Sequence, residues 1–305
     1  MVKLNEGWRC LAVLLFLLGL APRVNAQDTE PRRWAQMPTG LNFLVIVATY
    51  GDGEIFLDPE LLAKDVKYEL AGVGLAYIRS FGLFGKSARF DATVPYASGR
   101  WEGLVDGEFL SIRRRGFGDP RLRLSMLLYG GPAETPAEFA KSEKANTVVG
   151  AAVALTMPYG HYLEDKLINL GGNRWIVRPQ LGVTHTRGKW TMELTGSVFI
   201  YSDNNEFFNG NKLESDPLYA MQGHLIYTFR PGLWASLSTA YGWGAEAAIN
   251  GTVLDNPTGN WLTALSVGLP ISRTQGIKLT WLRARTQKDT GRDFDSLILG
   301  YSVMF

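Results

Sequence analysis

The side chains best suited to metal binding or nucleophilic chemistry are few: His161, His185, His224 and a single cysteine, Cys10, in 305 residues. No two histidines stand at HxxxH or HxH spacing, and one cysteine makes neither a CxxC clip nor a disulfide, so no metal centre is expected. A serine hydrolase needs a serine, a histidine and an orienting third group at one level of one face. His185 has no serine in phase with it, and His224 is accompanied by Gln222 and Thr228. Asp203-Asn204-Asn205-Glu206 offers oxygens to a calcium ion, but its spacing fits no calcium loop, and a solvated loop is the expectation. No catalytic residue and no cofactor is expected.

Charged and amide side chains instead recur at alternate positions of otherwise apolar segments. They are Arg89, Asp91, Arg121, Arg123, Arg178, Gln180, Glu193, Gln222, His224 and Lys278. Their elements are set by two-residue alternation, which places successive side chains on opposite faces of a strand. From Trp190 to Tyr201, Met192, Leu194, Val198 and Ile200 share one face, while Thr191, Glu193, Thr195 and Ser197 share the other. Leu297, Leu299, Tyr301, Val303 and Phe305 form the apolar face of the last segment. Twelve such segments lie near 41–50, 66–81, 87–97, 118–129, 146–157, 175–186, 190–201, 218–229, 233–243, 259–269, 277–286 and 294–305.

Composition limits the setting. With 46% hydrophobic and 20% charged residues and a net charge of +2, the chain is too apolar for disorder and too weakly basic for a nucleic-acid partner. A mean hydropathy of −0.03 excludes a bundle of transmembrane helices. Residues 1–26 have basic Lys3 and Arg9, an apolar stretch from Leu11 to Leu20, and small Val24 and Ala26 before a cleavage point. This is the layout of a secretory signal, and the apolar stretch is too short to span a bilayer. Its removal takes away Cys10, Lys3, Arg9, Arg23 and Glu6, leaving a cysteine-free chain with balanced charge.

The connections alternate too. Those at 82–86, 187–189, 230–232 and 270–276 are short, while 51–65, 98–117, 158–174, 202–217 and 244–258 are long and polar. The connection 130–145 is long where a short one is due, and its PAETPAEFAKSEKA suits a short helix. An even number of strands of about ten residues, joined this way, is the plan of a single antiparallel transmembrane β-barrel, in which lipid forces the sheet to close on itself. Trp175, Trp190, Tyr219, Phe229, Tyr241, Trp261, Trp281 and Tyr301 stand near the ends of the apolar faces, like an aromatic girdle. The opposite faces read as small and polar, not as the second apolar layer of a β-sandwich. The expected organisation is a signal at 1–26, a short periplasmic segment at 27–40, and an outer-membrane barrel at 41–305 with both termini periplasmic.

Particular segments resemble a known family. Gly116-Phe117-Gly118-Asp119-Pro120, Pro158-Tyr159-Gly160-His161-Tyr162, Asn169-Leu170-Gly171-Gly172-Asn173-Arg174-Trp175, Asp203 to Phe208 and Asp216-Pro217-Leu218-Tyr219, in this order, resemble the outer-membrane transporter family named for the meta-pathway of phenol degradation. That family is similar to the larger group of hydrophobic-compound and fatty-acid channels. The resemblance implies passive uptake of small, hydrophobic or aromatic solutes and carries over no catalytic residue. The alternatives are an outer-membrane barrel enzyme of lipase or protease type, or a structural or adhesion barrel acting through its loops.

If the apolar faces meet lipid, the ten polar residues named above line the lumen, either as an ion-pair network or as an anion-attracting arc of Arg121, Arg123 and Arg178. Only about a dozen residues precede the first strand, too few for the N-terminal plug of the fatty-acid channels. Arg174 is expected to face lipopolysaccharide phosphates or a loop carboxylate. The expected partners are outer-membrane lipids and lipopolysaccharide, a small-molecule solute, and the assembly machinery, which the terminal strand ending at Phe305 resembles a signal for.

Overall fold

The computed structural model describes residues 29–56, 63–105 and 107–305. The expected signal peptide lies outside them. The strands are β1 (Asn42–Phe56), β2 (Ala63–Leu83), β3 (Lys86–Val105), β4 (Glu108–Phe117), β5 (Arg121–Tyr129), β6 (Thr147–Thr156), β7 (Ile176–Arg187), β8 (Trp190–Tyr201), β9 (Asn204–Phe207) and β10 (Asn211–Ser215). They continue with β11 (Leu218–Arg230), β12 (Leu233–Gly244), β13 (Ala247–Ile249), β14 (Thr252–Val253), β15 (Thr258–Pro270), β16 (Gln275–Thr286) and β17 (Gly291–Met304). A single turn of helix, α1 (Pro136–Phe139), occupies the anomalous long connection and is capped by Thr135 and Glu138 in a capping box.

Twelve strands close an antiparallel barrel. The order β2-β1-β17-β16-β15-β12-β11-β8-β7-β6-β5-β3 returns to its start through β2–β3 pairing, and β4 attaches only to β3. First and last strands pair from Phe43↔Met304 to Phe56↔Gly291, so no edge remains there. The end where the chain enters β1 and leaves β17 is called the terminal end below, and the other the loop end. At the terminal end β2 turns into β3 through Phe84 and Gly85, both with positive φ (50° and 71°), the two-residue turn that matches strand twist.

The two faces of each strand separate by burial. On β8, Met192 and Leu194 are exposed while Glu193 and Thr195 are buried. The same inversion runs around the wall through Leu44, Ile46, Val73, Leu75, Val94, Leu124, Val153, Leu181, Leu237, Leu265, Leu279 and Leu299, all exposed. A continuous apolar band of this size belongs in hydrocarbon, since each square ångström left in water forgoes about 25 cal/mol. Aromatic groups bound the band on both sides. Trp190 and Tyr227 (centroids 4.8 Å apart) and Tyr227 and Phe229 (4.9 Å) mark the terminal end. Tyr219 with Trp243 (5.8 Å) and Tyr241 with Trp261 (5.0 Å) mark the loop end.

Two expectations from sequence change here. The segment at 118–129 begins later, and 98–117 is not a loop. The second half of β3 and β4 form a hairpin, Tyr96↔Phe117 to Val105↔Glu108, that rises beyond the apolar band. Above lipid the outer face needs no apolar phase, so Arg113, Arg114 and Arg115 hide the strand from a hydropathy reading. β4 and β5 are separated by Gly118-Asp119-Pro120, where Pro120 brings no N–H and Gly118 N–H donates to Pro95 O at 2.9 Å. The connections 202–217 and 244–258 also hold structure: β14-β13-β10-β9 make a four-stranded sheet packed on Leu167, Phe207, Leu213, Ala247 and Ile249.

Candidate functional site

Alternation decides which side chains meet inside the barrel. Asp91, Arg123, Arg178, Gln180, Glu193, Gln222 and His224 are buried on the phase opposite the apolar band, and Arg89, Arg121 and Lys278 are half-buried on the same phase. Register brings most of them together: Asp91 stands opposite Arg123, Thr184 opposite Glu193, and Glu193 opposite His224. Arg89 Nε bonds Asp91 Oδ1 at 2.8 Å, and Arg123 Nε lies 3.5 Å from Asp91 Oδ2. Lys278 joins from β16, within electrostatic reach of His224.

The segment before β1 completes the network. Residues 29–40, of the segment 27–40 expected as short and periplasmic and as too short for the N-terminal plug of the fatty-acid channels, pack inside the barrel. Arg33 Nη2 donates to Asp91 Oδ2 at 3.0 Å and also bonds Ser125 Oγ, while Arg33 N–H donates to Glu193 Oε1 at 3.1 Å. Glu30 takes a two-pronged pair from Arg123, Nη1 to Oε2 at 2.5 Å and Nη2 to Oε1 at 3.0 Å, with Arg121 at 3.8 Å. Trp34 is wholly buried and donates from Nε1 to Thr195 Oγ1 at 2.7 Å. Two inward glycines make its room. A Cβ on Gly182 would stand 2.0 Å from Trp34 Nε1, and one on Gly150 would stand 2.1 Å from Trp34 Cε3. One indole is thus held inside the barrel in a glycine cradle. The signal for it in sequence is the pair of inward-phase glycines, which register places opposite one another.

Every one of these anchors belongs to β3, β5, β6, β7 or β8, with Gln222 on β11 reached by Glu30 N–H at 3.4 Å. The facing wall differs. Ala240, Leu262, Ala264, Leu282, Ala284 and Phe294 form a buried apolar cluster with Tyr68 packed on it. These residues share rows with the polar ones: Glu193↔His224↔Ser238↔Ala264↔Leu282 crosses from one character to the other around the wall. The inner face is therefore two-sided: polar over β3 to β11, and over β12 to β17 apolar toward the loop end, with Ser236, Ser238, Ser266, Thr280 and Lys278 on the same phase toward the terminal end. The small and polar face expected from sequence is corrected for that apolar cluster and kept at Ser236, Ser238, Ser266 and Thr280. Trp261-Leu262-Thr263-Ala264-Leu265 carries apolar residues in both phases, and only the outer one was given weight.

At the loop end the family-like segments converge on one carboxylate. Asp119, buried between β4 and β5, accepts Gly160 N–H at 2.8 Å (Oδ1) and Gly172 N–H at 2.7 Å (Oδ2). Burial pushes this carboxyl above its usual range, against the opposing pull of the two N–H groups and Arg174. The same turn is closed by His161 N–H to Phe117 O at 2.7 Å and Gly171 N–H to His161 O at 3.1 Å. Held this way, the 158–174 loop folds inward: Ile168 and Leu170 pack with Ile55, Val66 and Trp101, and Leu167 joins the four-stranded sheet.

The remaining candidates find local partners. Arg174 donates to Ser215 Oγ at 2.8 Å, covers the Tyr201 ring at 4.2 Å and lies within electrostatic reach of the loop carboxylate of Asp119. Asn204 is buried, with its amide on Tyr162 Oη (2.9 Å) and its carbonyl accepting Glu206 N–H (3.0 Å), and it starts β9, while Asp203, Asn205 and Glu206 are exposed. His185 is exposed on the outer face and meets Thr147 Oγ1 at 2.8 Å.

Comparison with known proteins follows from this geometry. Residues 49–292 match the family described as the MetA-pathway of phenol degradation. The chain belongs to this family. Among solved structures, an outer membrane channel from Pseudomonas putida F1 superposes with a TM-score of 0.77 at 22% identity, covering 91% of this chain and 100% of that one. The transport unit of the autotransporter AIDA-I from Escherichia coli gives a TM-score of 0.56 at 8% identity, covering 96% and 99%. No curated protein sequence matches the chain. The family member described here is an outer-membrane β-barrel of twelve strands.

Proposed function

We propose that this family member is a channel for passive uptake of small hydrophobic or aromatic solutes, with both termini periplasmic. The observation that carries the reading is the two-sided inner wall. Glu30, Arg33 and Trp34 make their hydrogen bonds and ion pairs to the polar side, Arg32 lies over the Trp234 ring of β12, and residues 36–41 bond Ser80, Ser87 and the 130–145 connection, which leaves the buried face of Leu262, Ala264, Leu282 and Phe294 as an apolar patch beside the segment. Apolar solutes are held on such a surface by burial alone, weakly enough to leave it. The ten polar residues act in this reading as lumen lining, and Asp91, Arg121, Arg123, Glu193 and Gln222 among them hold the segment, since a buried charge without partners would be costly.

A hydrolase finds less support in the arrangement. Ser238 Oγ meets His224 Nδ1 at 2.8 Å in the row of Glu193, but Glu193 Oε1 is taken by Arg33 N–H and forms no hydrogen bond with His224. Purified protein in planar bilayers tests the channel: discrete current steps above the lipid baseline are expected, and a silent bilayer with folded protein incorporated would contradict it.

A further inference from the structure

The hairpin of β3 and β4 carries its arginines on two faces. Ile112, Arg114 and Gly116 are half-buried on the inner phase, where Arg114 Nε donates to Ile168 O at 3.1 Å. Arg113 and Arg115 are exposed on the outer phase, in line with Phe117. Phe117 and Tyr96 stand opposite one another with ring centroids 5.2 Å apart, and they continue the exposed phase beyond Val94. Arg115 lies two residues farther out along β4, opposite Ser98, and Arg113 two more, opposite Arg100. At about 3.3 Å per residue and a tilt of roughly 45°, Arg115 sits about 5 Å above that aromatic pair, within the ~5–7 Å of headgroup that borders each side of the hydrocarbon.

Charge sets these two arginines apart from their neighbours. Arg283 and Arg285, on the outer face of β16, both bond Asp295. Arg100 pairs with Glu102, to which Ser111 Oγ also donates at 3.2 Å, and has the exposed Glu69 of β2 on its other side. Neither Arg113 nor Arg115 pairs with a carboxylate among the described residues. Arg113 also faces Arg100 directly. Like charges in opposite positions weaken a sheet, and an anion between them removes that cost. Two guanidinium forks on one face, above an aromatic pair at the lipid edge, fit a phosphate that carries acyl chains.

We propose that Arg113 and Arg115 clasp a phosphate of lipopolysaccharide in the outer leaflet, with its acyl chains on Tyr96 and Phe117. The inference rests on the orientation given above, which puts the loop end outside. A lipid without phosphate offers these forks no anion, and inorganic phosphate lacks the chains that the aromatic pair receives.

The test is binding of lipid A, and of lipid A stripped of its phosphates, to the folded protein in detergent, read by native mass spectrometry. Wild type should bind lipid A roughly three- to tenfold more tightly than the stripped lipid, the range for two exposed charge pairs. The double variant Arg113→Gln/Arg115→Gln should bring both lipids to one affinity, and Arg113→Lys/Arg115→Lys should keep part of the difference. Arg187→Gln, at the terminal end, should change nothing. Heat-modified gel mobility reads the folding of each variant, and Arg115→Gln alone serves if the double variant does not fold. Equal affinity for the two lipids in wild type, or a preference that survives the glutamine substitutions, overturns the site and leaves the channel reading standing. Displacement of lipid A by inorganic phosphate at matched concentration assigns the forks to free phosphate and overturns the lipid. Orientation is read separately: Glu108→Cys on the hairpin should react with a membrane-impermeant maleimide on intact cells. Reaction only after lysis overturns the outward loop end, and the site with it.

Discussion

Trp34 and Gly182 are complementary: the indole Nε1 lies 2.0 Å from where a Cβ on Gly182 would stand, and Thr195 Oγ1 accepts its proton at 2.7 Å. Gly182 has a glycine's freedom for lack of a side chain, not for its backbone angle. The contact seats a single aromatic group of the N-terminal segment against the inner wall at this level, where one substitution can remove it.

Trp34→Ala is expected to raise single-channel conductance several-fold, because the indole and its hydrogen bond to the wall go together. Gly182→Leu should do the same from the other side by evicting the ring. Unchanged conductance in both variants would mean that the segment does not limit the pore.

The pair between Glu30 and Arg123 is the second anchor, at 2.5 and 3.0 Å. Either Glu30→Gln or Arg123→Ala should increase protease cleavage within residues 29–40 of folded protein. Removing one partner of a buried pair leaves the other uncompensated, so the double variant should be less affected than the two singles combined, with a coupling of about 1–3 kcal/mol. Simple additivity would show that the pair is not an anchor.

Asp119 is expected to give a pH signature. Its folded-state carboxyl titrates above the ordinary aspartate value of about 3.9, so the native state takes up this proton before the unfolded chain does. Its contribution to stability therefore becomes more favourable as pH falls from the raised value towards the ordinary one, and is least favourable above the raised value. Thermal midpoints followed by gel mobility should show wild type gaining on Asp119→Asn across that interval. A constant difference between the two would refute the shift. Asp119→Ala, which leaves Gly160 and Gly172 N–H without an acceptor, should loosen the 158–174 loop by about 1–3 kcal/mol, read as faster amide exchange there.

Strands inside the apolar band were legible because lipid demands strict alternation. The segment from Trp190 to Tyr201 has the bounds read from its pattern, and the phase carrying Glu193 and Thr195 is the buried one. Outside the band that demand lapses, and β4 with its arginines and β9, β10, β13 and β14 went unread. Residues 29–40 have no period at all; their placement depends on Asp91, Ser125, Glu193 and Thr195 from distant strands, which only closure of the barrel brings together. Leu262, Ala264, Leu282 and Ala284 were visible as apolar residues in the wrong phase. In one sequence such residues look like noise on an outward pattern until register stacks them in neighbouring rows. The Gly-rich segments were visible as motifs, but their common centre at Asp119 was not.

The most direct measurement is the initial uptake rate of labelled toluene by cells whose own copy is deleted, carrying vector, wild type or Leu282→Asp. Wild type should take up toluene several-fold faster than vector. Leu282→Asp, which puts a charge on the apolar patch, should return the rate to that of vector while its folded amount in the outer membrane is unchanged. Wild-type uptake equal to vector, or full uptake by Leu282→Asp, would contradict an apolar path through this barrel.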